Sequence, residues 1–242
     1  MIGVGSVSVT KDKTNTAEYR VRDIKHIILY ILPIFDTFPL LTSKYFDYKK
    51  FREAILIMNN NELTKEQKYD MIYKIKKQVM PDNYYSPAWT IINNVVTSKL
   101  DAIKVISKSW IIGFTEAEGS FYIVKKGAER LSHAFEITQK RDIIVLQAIA
   151  IILSIRVVQK KTYNTVIAIS QTDLINIVTY FFKTIKGMKA LEYRIWARSI
   201  LKQDKNFTTL SKTRDLIRSI RSIRLDKNFL NKLLSSLKIY SF

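Results

Sequence analysis

Residues 109–121 read SWIIGFTEAEGSF, and the rest of the 242-residue sequence is best interpreted outward from this stretch. Read as a helix that leads into a strand, it places Gly113 and Ala117 on one line, four positions apart. A glycine inside a helix costs roughly 0.8–1.0 kcal/mol relative to alanine, which suggests that a partner backbone packs closely there. Glu118 falls at the helix end, before Gly119, a residue type that commonly ends helices in the left-handed conformation. A carboxylate at the negative end of a helix dipole calls for a compensating cation.

This stretch resembles the signature helix of the LAGLIDADG family, which comprises homing endonucleases and the intron maturases derived from them. The resemblance lies in the order tryptophan, two apolar residues, Gly-Phe, then Ala-Glu-Gly and a final phenylalanine. In that family two copies of the helix pack small residue against small residue, and the last acid of each copy binds a divalent metal. The resemblance implies an α+β fold, in which antiparallel saddle sheets are covered by helices and repeated about a pseudo-two-fold axis.

Carried over residue by residue, the resemblance also implies a site. Glu118 is then the catalytic and metal-binding acid, with Gly119 beside it at the metal, and Mg²⁺ is the cofactor if the chain is catalytic. Lys25 is a candidate for the basic residue that the family keeps beside its metals, although an ordinary surface lysine is the alternative. The implied helix interface consists of Trp110, Gly113, Phe114 and Ala117.

The composition favours a polyanionic partner. Lysine and arginine number 40 against 21 acids, a formal charge of +19. An anionic membrane is less favoured, because no long basic amphipathic helix stands out and the apolar run at 143–155 is too short to span a bilayer. We expect no membrane association, secretory signal or targeting peptide. The absence of cysteine excludes disulfides and cysteine-zinc modules, and two histidines are too few for a histidine metal site.

A weak internal repeat organises the chain. Residues 23–30, DIKHIILY, align with residues 173–180, DLINIVTY, at an offset of 150. Tyr48 aligns with Tyr193 at an offset of 145. The predicted organisation is a truncated first repeat at 1–58, a linker with one helix at 59–107, a complete second repeat at 108–203 and a basic helical extension at 204–242.

The first repeat enters the family's two-copy layout part-way through. The offset of 150 places Met1 opposite Ile151, so the first copy has no counterpart to residues 110–150. One of the two metal-binding acids is therefore missing from this sequence. We expect no independent double-strand cleavage, and a separate polypeptide that carries the missing half-repeat, or neighbouring proteins in a ribonucleoprotein, as partner.

Nucleic-acid contacts are expected at the ends of the predicted strands, because the family reads the major groove with alternate strand residues. Strands are predicted at 121–125, 134–140, 156–161 and 165–170, with an N-terminal hairpin at 2–10 and 17–22. The candidate contacts are Lys11, Lys13, Arg20, Arg22, Lys125, Lys126, Gln139, Lys140, Arg141, Lys160 and Lys161. Arg214, Arg218, Arg221 and Arg224 recur at helical spacing and form either a phosphate-facing stripe or a solvated face.

Structured RNA is the first functional expectation. The protein would bind and stabilise a group I intron or ribosomal RNA without cleaving DNA independently. The alternative is a site-specific DNA endonuclease that becomes active when a second polypeptide supplies the missing motif. The abundance of isoleucine, lysine, asparagine and tyrosine, with only 6 glycines, is typical of an AT-rich genome, and we therefore expect a mitochondrial protein.

Overall fold

The computed structural model describes residues 3–9, 17–203 and 205–223. Lys11, Lys13 and Arg224, which the sequence analysis named, lie outside these ranges. The chain divides into two compact units, residues 1–95 and residues 96–242. No helix in the described ranges is both long enough and apolar enough to cross a membrane.

The first unit begins with an antiparallel hairpin of β1 (Ser6–Val9) and β2 (Ala17–Arg20), in which Ser6 pairs with Arg20. A 3-10 turn at Pro87–Ile92 closes the unit. The helices between them are α1 (Ile24–His26), α2 (Leu32–Thr37), α3 (Lys44–Asn59) and α4 (Lys65–Lys77).

A π-helical turn at Ile27–Ile31 joins α1 to α2. Proline is expected to end a helix because it lacks an N–H group and crowds the preceding turn. Here the chain continues as a helix to Thr37, with Pro33 at the start of α2 directly after the wide π-helical turn. The wide turn is closed by a bond from the Leu32 N–H to the Ile27 carbonyl.

Tyr48 connects the core of the first unit to a polar pair at its surface. Its ring is buried with Ile27, Leu32 and Ile55. The Tyr48 hydroxyl donates to Asp36 Oδ1 at 2.6 Å and lies 3.1 Å from the Leu32 carbonyl oxygen. The bond from Tyr48, followed by the Arg52 guanidinium 2.9 Å away, holds the pKa of Asp36 below its usual value.

The second unit is built on a four-stranded antiparallel sheet in the order β3-β4-β6-β5. Its strands are β3 (Gly119–Gly127), β4 (Arg130–Gln139), β5 (Arg156–Gln159) and β6 (Asn164–Ala168). Its helices are α5 (Lys99–Val105), α6 (Lys108–Glu118), α7 (Ile143–Leu153), α8 (Gln171–Phe181), α9 (Ala190–Leu201) and α10 (Phe207–Ile223). The α+β class and the predicted signature helix and strand positions are confirmed, with ends shifted by a few residues.

One face of the sheet forms the core of the second unit. Phe121 and Phe135 are fully buried on it, and they share this face because they lie directly opposite each other on β3 and β4. Their rings pack against Phe181 of α8, and Phe121 also contacts Tyr193 and Trp196 of α9. The helices α7, α8 and α9 contact the sheet, and α6 and α10 contact its strands β3 and β4.

The two units share two features: a tyrosine hydroxyl close to a backbone carbonyl, and the packing of the tyrosine-bearing helix against the next helix. Tyr193 donates to the Val178 carbonyl at 2.9 Å, and the Tyr48 hydroxyl lies 3.1 Å from the Leu32 carbonyl oxygen. In each unit the tyrosine helix packs against the helix that follows it, α3 against α4 and α9 against α10. Ile75 of α4 and Ile220 of α10 are both buried, and they lie 145 positions apart, as the two tyrosines do. The helix that the sequence analysis placed in a linker therefore has a counterpart in the basic extension.

Candidate nucleic-acid interface and metal-binding acid

The candidate site lies where α6 passes directly into β3. Ser107 caps α6 by accepting the Trp110 N–H at 3.1 Å, and the helix ends at Glu118. Gly119 has φ −74° and ψ 155°, so the prediction of a left-handed helix end is wrong. Glycine is required here for space instead, because a Cβ would lie 2.7 Å from Thr115 Cγ2 and 2.8 Å from the Thr115 carbonyl oxygen. This tight corner fixes the position of Glu118.

Glu116 anchors the signature helix to the segment before α9. Its Oε1 accepts the backbone N–H groups of Lys186 at 3.0 Å and Gly187 at 2.7 Å, and its Oε2 accepts that of Lys189 at 3.2 Å. Successive N–H groups that surround a carboxylate form an anion-binding concavity. A Cβ at Gly187 would lie 2.8 Å from Glu116 Oε2, so this approach also depends on glycine.

The side chain of Lys189 in turn contacts the end of the signature helix. Its Nζ donates to the carbonyl oxygens of Thr115 at 3.2 Å and Ala117 at 3.0 Å. These are carbonyls of the last helical turn, the negative end of the dipole. The ammonium group therefore lies one residue along the backbone from Glu118 and provides the compensating cation that the sequence calls for.

Glu118 itself is exposed and makes no hydrogen bond or ion pair with any residue that the structure describes. A cavity of about 400 Å³ adjoins it, lined also by Ser120, by Tyr122 and by arginines of α10. Lys25, the basic residue predicted to act with Glu118, is exposed in α1 of the other unit. Within the second unit, Lys189 is the lysine whose ammonium group lies at the Glu118 end of α6.

The sheet face opposite the core, here called the open face, is polar near Glu118. Alternation and register place Ser120, Tyr122, Glu136, Thr138, Thr165 and Ile167 on it. Glu136 accepts hydrogen bonds from the hydroxyls of Tyr122 at 2.7 Å, Thr138 at 3.0 Å and Thr165 at 3.0 Å. Burial, followed by the bond to Glu136, raises the pKa of the Tyr122 hydroxyl, which stays protonated as a donor.

The predicted basic contacts of the second unit fall at two ends of the sheet. Gly119 pairs with Ile137 and Gln139 pairs with Asn164, so the end of β4 is also the Glu118 end. The contacts at this end are Gln139, Lys140, Arg141, Lys160 and Lys161. Lys125 and Lys126 are exposed at the opposite end, beside the turn between β3 and β4.

In the first unit the described candidate contacts are Arg20 and Arg22. Both are exposed, Arg20 in β2 and Arg22 just after it. Arg20 forms an ion pair with Glu18 of the same strand. These residues keep the position that the sequence predicts, on an exposed hairpin.

The small residues of the signature helix remain uncovered. Gly113 and Ala117 are exposed, and a Cβ built on Gly113 would meet no described atom within 4 Å. Trp110 and Phe114 are half-buried, with their rings stacked 4.6 Å apart. No element within the described ranges occupies the predicted helix interface.

The donor set fits one half of a magnesium site. Within the described ranges no cluster of three or more histidine or acidic side chains could hold a metal by itself. Mg²⁺, however, is usually held by one or two carboxylates together with substrate phosphates and water. The unpaired carboxylate of Glu118 and the backbone carbonyl of Gly119 are oxygen groups of that kind.

Sequence reasoning missed Glu116, Lys189 and the open-face hydroxyls. For Lys189 the sequence contains a signal in the internal repeat. Lys44 and Lys189 lie 145 positions apart, the same offset as Tyr48 and Tyr193. The open-face residues carried a weaker one, since they alternate with the buried apolar residues of each strand.

Comparison with protein families and known proteins gives a consistent result. A family model described as LAGLIDADG endonuclease matches residues 1–55 and 111–200. A probable intron-encoded endonuclease, Cox1-I1b of Schizosaccharomyces pombe, is 36% identical over 230 residues, which cover 91% of this chain and 56% of that protein. An uncharacterized mitochondrial protein of Saccharomyces cerevisiae, RF1, is 35% identical over 120 residues, covering 49% of this chain and 22% of that protein.

Among solved structures, I-SmaMI bound to cleaved DNA superposes with a TM-score of 0.68 at 22% identity, over 91% of this chain and 78% of I-SmaMI. This likeness shows a shared fold. The chain spans about half the length of the curated relatives that match most of it.

Proposed function

The chain belongs to the LAGLIDADG endonuclease family, and on this premise we propose that it binds duplex DNA on its open face and contributes one acid to metal-dependent phosphodiester cleavage. The sequence analysis put structured RNA first. We now put DNA first because the carboxylate and the ammonium group that cleavage chemistry uses lie at one corner of the second unit.

The observation that carries the proposal is that the anchored ammonium of Lys189 lies at the helix end that bears Glu118. Glu118 is exposed and free of described partners, while Lys189 is fixed by the two carbonyls beside it. A surface acid with no function would gain nothing from this arrangement. An acid that has to hold a cation against a phosphate needs to be unpaired and held in place.

A divalent metal in such a site activates the attacking water and stabilises the negative charge on the phosphate. The chain's own residues have separate tasks. Glu118 provides the carboxylate oxygens, and Lys189 offsets the dipole at the helix end so that the site does not become too negative to admit a phosphate. Ser120 and Thr138 of the open face offer hydroxyl oxygens to base edges, and the lysines at both ends of the sheet face the phosphate backbone.

A second acid would come from outside these 242 residues. We propose that a second signature helix, from a longer form of the chain or from a separate polypeptide, packs on Gly113 and Ala117 and brings that acid to the metal. The two fungal relatives named above are longer than this sequence, which supports either source. The mitochondrial relative supports a mitochondrial location.

Cleavage of duplex DNA tests this proposal. The chain is mixed with a polypeptide that carries a second signature helix, and with duplexes that span candidate intron-insertion sites, in Mg²⁺. The mixture should cut both strands, the chain alone should bind without making double-strand breaks, and Glu118→Gln should abolish cutting while binding persists. Glu53→Gln, which removes an exposed carboxylate of α3, should cut at the wild-type rate. Equal cutting by the Glu118→Gln mixture would refute the proposal.

One observation favours structured RNA as a second candidate function, with the neighbouring proteins of a ribonucleoprotein as further partners. Tyr69 and Tyr73 of α4 stack with centroids 6.3 Å apart, and they are 69% and 49% exposed. Lys77 Nζ lies 5.3 Å from the centre of the Tyr73 ring. Exposed aromatic rings beside cations suit unpaired bases.

Competition between an RNA hairpin and a DNA duplex tests this second candidate. The double change Tyr69→Ala and Tyr73→Ala should weaken binding of the RNA and leave the duplex unaffected. Met71→Ala, also exposed on α4, is the matched control. If the tyrosine changes leave the affinity for RNA unaltered, the second candidate fails.

A further inference from the structure

We propose that Arg218 of α10 binds the same phosphate group that Glu118 reaches through its metal, so that helix α10 is part of the cleavage site. This inference rests on the proposed function and extends it to an element that the sequence analysis treated as a separate tail. The family model match, at residues 1–55 and 111–200, does not include α10.

The first argument is where Arg218 lies. Arg214, Arg218 and Arg221 share one side of α10 and line the cavity of about 400 Å³ that adjoins Glu118. Ile217 and Ile220 of the same helix are only 2% and 4% exposed, so the helix is held in place by packing. The guanidinium of Arg218 therefore stands on a fixed element at the border of the open face.

The second argument is that the other charged groups of the cavity are already paired. Arg221 Nε donates to Glu192 at 2.6 Å, and Arg221 also donates to the Phe121 carbonyl at 2.7 Å. Arg214 donates to Asp215 at 3.0 Å and to Ser211 at 3.2 Å.

Glu136, the second carboxylate of the cavity, accepts hydrogen bonds from three hydroxyl groups. Among the residues that the structure describes, Glu118 and Arg218 are the cavity's charged side chains left without a hydrogen bond or ion pair.

The third argument is chemical. A phosphodiester that binds a metal keeps a second non-bridging oxygen, which needs a donor of its own. The planar fork of an arginine matches phosphate oxygens and stays protonated at any pH of interest. A carboxylate and a free guanidinium in one cavity therefore provide for both oxygens of one phosphate, the carboxylate through the metal and the guanidinium directly.

The test measures binding to a mixed-sequence DNA duplex of about 30 base pairs at several salt concentrations, since each phosphate contact on duplex DNA contributes about 0.9 to the salt slope. Arg218→Ala should make the slope shallower by about 0.9, and Arg218→Lys should restore most of it. Lys212→Ala removes a charge from an exposed position of α10 that does not line the cavity, and it should keep the wild-type slope.

A double-mutant cycle in Ca²⁺ then locates the contact. If Arg218 and Glu118 hold one phosphate, the combined loss of affinity in Arg218→Ala with Glu118→Gln differs from the sum of the two single losses, whereas independent sites add. Additive losses, or an unchanged salt slope in Arg218→Ala while the wild type binds with steep salt dependence, would overturn the inference and leave the proposed function standing. If the wild type shows no duplex binding, both are overturned.

Discussion

At His133, burial lowers the pKa of the imidazole from its ordinary 6.5 to about 4. The ring is buried and its Nε2 lies 2.9 Å from Ser199 Oγ. Because the pKa is lowered on folding, the contribution to stability is complete above pH 6.5 and is lost as the pH falls towards 4. Between about pH 7.5 and about pH 5, the free energy of unfolding should fall by about 2 kcal/mol on this account.

Urea unfolding at the two pH values measures this difference. His133→Gln lacks the ionisable group and is the matched control, since it keeps every other titrating residue. The account predicts a smaller pH dependence in the variant than in the wild type. Identical pH dependence in both proteins would show that His133 ionises freely in the folded state.

Glu116 gives a second prediction at a single residue. Its carboxylate accepts three backbone N–H bonds, and Glu116→Gln would turn one oxygen into an amide NH₂ that faces a donor. We expect a loss of about 1–2 kcal/mol in the free energy of unfolding, because an unsatisfied donor replaces a charge-assisted bond. Glu53→Gln in α3, exposed, should change it by less than about 0.5 kcal/mol. Equal effects of the two changes would rule out an anchoring role for Glu116.

At the scale of elements, one ion pair joins α10 to α9. Glu192 of α9 is 1% exposed and is bound by Arg221 at 2.6 Å. Arg221→Ala should lower stability by about 2–3 kcal/mol, because it removes the arginine from a buried carboxylate, although the arginine itself is partly exposed. Arg218→Ala, on the same helix without such a bond, should leave the melting temperature almost unchanged. A similarly small effect of Arg221→Ala would mean that α10 docks through its isoleucines alone.

In the signature helix, by contrast, we expect a substitution that does not lower the stability of the chain. Nothing described lies within 4 Å of a Cβ built on Gly113, so Gly113→Leu should leave the isolated chain folded and should stabilise α6 by a few tenths of a kcal/mol. It should nevertheless block a second signature helix, because the leucine would occupy the space of the partner backbone. Circular dichroism and a pull-down with a polypeptide bearing that helix separate the two effects. Unimpaired capture would show that the partner packs elsewhere.

The sequence predicts elements better than it predicts contacts between them. The signature helix, the strands and the apolar helix at 143–153 were predictable because apolar periodicity is a local property. Lys25 stays a prediction as the basic residue beside the metal. Lys189 was not predicted at the end of α6, because only the fold brings it to Thr115 and Ala117, 74 and 72 positions away. For Gly119 the sequence predicted a left-handed helix end. Its actual constraint is the proximity of Thr115, which is again a contact that only the fold creates.

At the scale of the whole molecule, the proposed function has the formal charge of +19 and the single exposed acid of the signature helix act together. The charge draws in the phosphate backbone over distances of about a Debye length, roughly 8–10 Å at physiological salt. The acid then requires a metal before a phosphate can approach it. Binding should therefore persist without divalent cations, whereas cleavage should depend on them.

Iron-directed cleavage of the protein backbone tests this account most directly, since it requires neither a known target sequence nor a second acid. Fe²⁺ replaces Mg²⁺ in the complex of the chain with duplex DNA, peroxide is added, and mass spectrometry maps the breaks. The account predicts breaks near Glu118 and on the facing residues around Ile137, which disappear in Glu118→Gln while DNA binding remains. Breaks at the same places in wild type and Glu118→Gln, or none near Glu118 in a protein that binds DNA, would contradict the assignment of Glu118 as the metal-binding acid.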